Sequence, residues 1–118
     1  MNSKKIVFVS DFTFKGSGYL NIAIPICTGL ARSGHQVMAV GLGYAGEEHR
    51  FPFTIIPAKN YGDANAMVNN LKYQWGAELC IVALDIPNQI RFHPTCEKVG
   101  MKMMAITALE NPPLRLGS

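Results

Sequence analysis

Asp11 closes an apolar run, residues 5–10, and Gly16, Ser17 and Gly18 follow it ahead of a helical stretch. Glycines before a helix N-terminus suit an anion. The first amides of a helix have no partner within it, the dipole end is positive, and a residue without a side chain lets backbone approach a phosphate. The same residues serve equally well as a hinge entering a helix, and spacing alone leaves both readings open. The dinucleotide fingerprint would place a third glycine at position 21, where Asn21 stands, and no Gly-Lys-Ser/Thr phosphate loop is present. Lys15 adds a cation beside the glycines.

Three further polar residues fall where apolar runs end: Asp85 after residues 79–84, His93 ahead of Pro94, and Glu110 after residues 101–109. Asp85 is a candidate for acid–base work and equally a turn former. His93 is a candidate base or ligand and equally a helix cap; Glu110 stands as Asp85 does. His35 follows a helix stop and is read as structural. His49 lies in Glu47-Glu48-His49-Arg50 and is read as solvated surface. No carboxylate pair, Ser-His-Asp order or nucleophile elbow stands out, so the catalytic residues are left unassigned. The three cysteines, Cys27, Cys80 and Cys96, sit in apolar surroundings without metal-ligand spacing. They are expected to be buried free thiols, and neither a metal nor a cofactor is predicted.

These residues need a scaffold. Residues 5–10 are a short apolar run rich in branched side chains, as in a strand buried on both faces, and 79–84 reads as another buried strand; 36–41, 53–57 and 101–109 read as further strands. Between them, Ala23, Ile26, Cys27, Leu30 and Ala31 recur at helical spacing over residues 19–33, with Gly34 as the stop and Pro25 expected to kink the helix or delay its start. Ala64, Met67, Val68, Leu71 and Trp75 make a second stripe, with Asp63 as the expected N-cap. A short helix over residues 94–99 is expected behind Pro94. Strand alternating with helix predicts an α/β chain: a doubly wound, mostly parallel, Rossmann-like sheet in a single domain spanning residues 1–118. Ligands of such sheets bind beyond the carboxyl ends of the strands, where Gly16–Gly18, Asp85, His93 and Glu110 fall.

Bulk properties exclude several classes. The 118 residues are 48% hydrophobic and 16% charged, a balance that argues against disorder. The formal net charge of +3 is scattered, so a nucleic-acid interface is not expected. No apolar run reaches the ~18 residues of a membrane span, and the N-terminus lacks the apolar length of a signal peptide, so a cytoplasmic chain is expected.

Asp11, the Lys15–Gly18 loop, Leu30-Ala31-x-x-Gly34-His35 leading into a strand, and Ile106-Thr107-Ala108-Leu109-Glu110 together resemble the N-terminal domain of group-one (family four) retaining glycosyltransferases. That resemblance implies two Rossmann-like domains (the GT-B arrangement), with a nucleotide-sugar donor and a sugar or other hydroxyl acceptor meeting in the cleft between them. It implies that Gly16, Ser17 and Gly18 face the donor diphosphate, and that Asp85, His93 and Glu110 lie on the acceptor side. The donor domain, with its paired glutamates, would be missing: no two glutamates stand eight positions apart in this chain. The chain is then expected to be inactive alone and to self-associate, as a homodimer, through the face left bare. The alternative is a small nucleotide- or flavin-binding Rossmann or flavodoxin-like module without catalysis.

Overall fold

The computed structural model describes residues 3–13 and 20–107. Strands β1 (Lys5–Asp11), β2 (Gln36–Leu42), β3 (Thr54–Ala58), β4 (Leu79–Ala83) and β5 (Lys102–Ile106) form one sheet in the order β3-β2-β1-β4-β5. Every pairing is parallel. Helices α1 (Leu20–Arg32), α2 (Tyr61–Gln74), α3 (Ile86–Gln89) and α4 (His93–Val99) flank it, with a 3-10 turn, Ile90–Phe92, joining the last two. This is the doubly wound, Rossmann-like architecture that the alternation of elements predicts.

The continuous apolar runs occupy the centre because only there are both faces covered. Val7, Phe8, Val9 and Val82 are fully buried, and Ile6 and Ile81 nearly so. Alternate residues feed two cores. Val7, Val9, Cys80 and Val82 pack with Ala64 and Val68 of α2 and with Phe92, Cys96 and Val99. Ile6, Phe8, Ile81 and Ala83 pack with Ala23 and Cys27 of α1 and with Tyr44, Phe53 and Ile55.

The helix ends explain two motifs. Gly34 adopts φ 98°, its amide donates to Ala31 O at 3.1 Å, and the His35 amide donates to Leu30 O at 3.1 Å. These two bonds are those of a Schellman stop, which needs a residue free to take a left-handed backbone. The His35 side chain then accepts from the Lys4 amide at 3.1 Å through Nδ1, so the helix stop is tied to the entry of β1. Leu-Ala-x-x-Gly-His is thus a local folding device. At α2 the cap is Asn60, whose side chain accepts from the Asp63 amide at 2.8 Å, and Asp63 accepts in turn from the Lys59 amide at 2.9 Å. Asp63 therefore lies three residues inside the cap position expected for it, and ties the first turn to the residue before the cap. Pro25 lies inside α1 without ending it. Its missing N–H would have bonded the carbonyl of Asn21, which lies in the first described turn and is exposed, so solvent can take the vacated bond.

The three cysteines are buried and free, as expected. Burial pushes the Cys27 thiol far up. The Cys80 thiol is held up by donating its hydrogen bond to Cys96 and by burial, and acceptance of that bond lowers Cys96. Each thiol should therefore react only through opening of the fold. A disulfide reagent at neutral pH is expected to modify all three cysteines at least roughly 10³-fold more slowly in buffer than in denaturant, because a stability of about 5 kcal/mol leaves so small an open fraction. A native thiol reacting at the rate of a free one would show that the packing around it is wrong.

Candidate functional site

In the order β3-β2-β1-β4-β5 the strand sequence reverses between β1 and β4, and the crevice beyond their carboxyl ends is the switch point of an open α/β sheet. Its floor is sealed. Ser10, fully buried, donates from Oγ to Ala83 O at 2.8 Å, bridging the paired ends of β1 and β4. On the β1 rim, Asp11 Oδ1 accepts from the Thr13 amide at 2.8 Å, forming an Asx turn at the strand end. That turn presses on the end of β2: Gly43 has φ 76°, and a Cβ there would stand 2.3 Å from Thr13 Oγ1. The close approach of these loops requires glycine.

The β2 side of the crevice is filled. Phe12 is fully buried and its amide donates to Leu42 O at 2.9 Å, prolonging the β1–β2 pairing past the strand end. Tyr44 packs beside it, and a Cβ on Gly41 would come within 2.9 Å of Tyr44 Cβ and Ile55 Cγ2. From β2 to β3 the chain crosses without a helix, which breaks the alternation of elements. Aromatic rings stand in for one. His49 stacks on Phe51 at 5.0 Å between centroids, and Phe51 on Phe53 at 5.5 Å. His49, expected in solvent, is half-buried in this ladder. In dinucleotide sites an acid near the end of β2 binds the ribose of the adenosine half; here Leu42, Gly43 and Tyr44 occupy that end.

The β4 rim carries two of the predicted residues. Asp85 is exposed and caps α3: its carbonyl accepts from the Asn88 and Gln89 amides, both at 3.0 Å, and its Oδ1 accepts from Asn88 Nδ2 at 2.6 Å. Asn88 Oδ1 accepts from Arg91 Nε at 3.1 Å, and the Arg91 guanidinium lies 5.1 Å over the Tyr61 ring. The turn-forming role of Asp85 is therefore realised. His93 begins α4 and is exposed. It lines a cleft of about 350 Å³ with Gln89, Ile90, Pro94 and Met103, between the start of α4 and β5. Asp85 is not among the lining residues. Gly16, Ser17, Gly18 and Glu110 lie outside the described residues.

Gln89 was not anticipated. Only 8% exposed, it places Nε2 2.7 Å from Leu84 O, 3.0 Å from Ile106 O and 2.6 Å from Thr107 Oγ1, its two N–H donors shared among the three acceptors. It thereby clamps the carboxyl ends of β4 and β5. Its sequence neighbours offered little signal: Asn88 is a second amide beside it, and the flanking Ile86 and Ile90 are exposed, at 59% and 63%. Among the described residues no group of three or more His, Cys, Asp or Glu side chains is placed to hold a metal. No helix among them is long and apolar enough to cross a membrane.

The fold is similar to that of the C-terminal domain of a hydrogenase from Pyrococcus furiosus, in two solved structures. The one spanning residues 78–226 of that protein has a TM-score of 0.63 and 15% identity, covering 90% of this chain and 93% of that one. The other, residues 83–215, has a TM-score of 0.52 and 14% identity, covering 86% of this chain and 90% of that one. No family model matches the sequence, and neither does any curated protein.

These findings overturn the glycosyltransferase reading. The fold matches a hydrogenase domain, and no glycosyltransferase model or relative supports the motifs. The physical reason is plain at Leu30-Ala31-x-x-Gly34-His35. Its residue types are explained by a Schellman stop and a tie to β1, which any strand–helix–strand unit can use. The nucleotide-sugar donor, the hydroxyl acceptor and the missing donor domain fall with that family. So do the transferase activity and the ground for self-association, which was argued from the missing domain.

Proposed function

We propose that this chain is a non-catalytic Rossmann-type module that holds a small phosphorylated ligand of the mononucleotide class at the β1/β4 crevice. It would act as an accessory domain of a larger assembly, as the similar hydrogenase domain is one part of its protein. The observation that carries this reading is the strand order. It opens a switch point between β1 and β4, while Phe12 and Tyr44 fill the β2 side where a second nucleotide half would lie. The order also favours the Rossmann alternative over the flavodoxin one, whose first strand neighbours β2 and β3 rather than β2 and β4.

In this reading the phosphate meets Gly16, Ser17 and Gly18 with Lys15 beside them, and Asp85 stands on the opposite rim. Buried free thiols fit a reducing compartment, so the cytoplasm is its expected place.

Calorimetric titration with AMP, FMN and NAD+ tests it. AMP or FMN is expected to bind, with NAD+ no tighter than AMP. Replacing Gly16 and Gly18 together with valine should weaken the mononucleotide at least ~10-fold, or about 1.4 kcal/mol, by blocking backbone approach. No heat from either mononucleotide at millimolar concentration, or an unchanged affinity in the double variant, would reject the assignment.

A further inference from the structure

The cleft beside β5 has a feature that packing alone does not require. The Gln89 amide orientation is set by its partners: Leu84 O and Ile106 O can only accept, so Nε2 must face them. Among the described residues its Oε1 has no hydrogen-bond partner, although Gln89 is only 8% exposed. A buried amide oxygen without a donor carries a desolvation penalty until something supplies one. Gln89 also lines the cleft of about 350 Å³, whose other walls are Ile90, Pro94, Met103 and His93. That volume lies at the small end of ligand sites, and the mixture of apolar walls with a few fixed polar groups is what such sites show.

We infer that this cleft binds a small planar heterocycle carrying a ring N–H beside a carbonyl, a lactam of the kind found in pyrimidine bases. The ring N–H donates to Gln89 Oε1, and His93 donates to the neighbouring carbonyl. The thioether of Met103 lies against the ring, a contact favourable to aromatic systems. Ile90 and Pro94 cover its faces. The contacts of Gln89 Nε2 with Leu84 O, Ile106 O and Thr107 Oγ1 hold the acceptor in place before any ligand arrives, so little ordering is needed on binding. The site is built between the start of α4 and β5 and stands apart from the β1/β4 crevice, so it does not depend on the function proposed there.

Uridine and N3-methyluridine test the inference on ¹⁵N-labelled protein, because the methyl group removes the ring donor and keeps the planar body. Uridine is expected to shift the Gln89 side-chain amide and the backbone amides of Ile90, His93 and Met103. N3-methyluridine should bind at least ~10-fold more weakly, about 1.4 kcal/mol. Ile90→Trp, at a position 63% exposed, should leave the spectrum folded and abolish the uridine shifts by filling the cleft. Equal binding of the two nucleosides would show an apolar hollow with no directed acceptor and overturn the proposal. So would uridine shifts confined to residues 11–13 and 84–85, the absence of any shift at about 10 mM, or full binding by folded Ile90→Trp.

Discussion

Phe8→Ala is expected to remove about 3–5 kcal/mol of stability, the range for truncating a fully buried aromatic. Phe8 is 0% exposed at the middle of β1, the central strand. Its neighbours in register are Ala39 on β2 and Ile81 on β4. Ala39 is small, so the phenyl ring fills the space between the sheet and α1, against Ala23 and Cys27. Strands on both sides hold the backbone, so the cavity cannot collapse. A domain of this size has about 5–15 kcal/mol in total, and the variant should lose a large part of it. Urea unfolding monitored by circular dichroism measures the change. A loss below about 1 kcal/mol would mean that the site can collapse around alanine, contrary to the packing described.

Gln89→Leu is expected to cost about 2–4 kcal/mol: roughly 1–3 for the buried Leu84 O left without a donor and about 1 for the part-buried Ile106 O. Leucine fills similar space but cannot donate to Leu84 O or Ile106 O. The effect should also be local. β5 is an edge strand, paired to β4 alone among the described residues, and the Gln89 clamp is its attachment at the carboxyl end. Amides of β5 should lose protection from hydrogen exchange before those of β1 do. Stability within about 0.5 kcal/mol of the parent, the usual range for a surface change, would refute the clamp.

The architecture was legible because its signals are local. Residues 6–9 and 81–82 are apolar without interruption, and a strand of that kind has to sit where helices cover both faces. The stripe Ala23, Cys27 and Leu30 and the stop at Gly34 likewise lie within a few turns of one another, so periodicity and backbone freedom suffice to place them. The burial of the cysteines followed from their apolar neighbours.

Tertiary structure decided the rest, because it turns on partners distant in the chain. Strand order depends on which edges pair, and it separates the Rossmann arrangement from the flavodoxin one although the sequence pattern of both is the same. The helix-free crossing from β2 to β3 closes through stacking of His49, Phe51 and Phe53, and nothing in Glu47-Glu48-His49-Arg50 signals that the ring turns inward. Gln89 reaches Ile106 and Thr107, 17 and 18 residues on, and its role exists only once β5 lies beside β4. The likeness to a glycosyltransferase failed for the same reason. A helix stop and a glycine-rich turn are demands of the strand–helix–strand unit itself, so they recur wherever that unit does and say nothing of what binds beyond it.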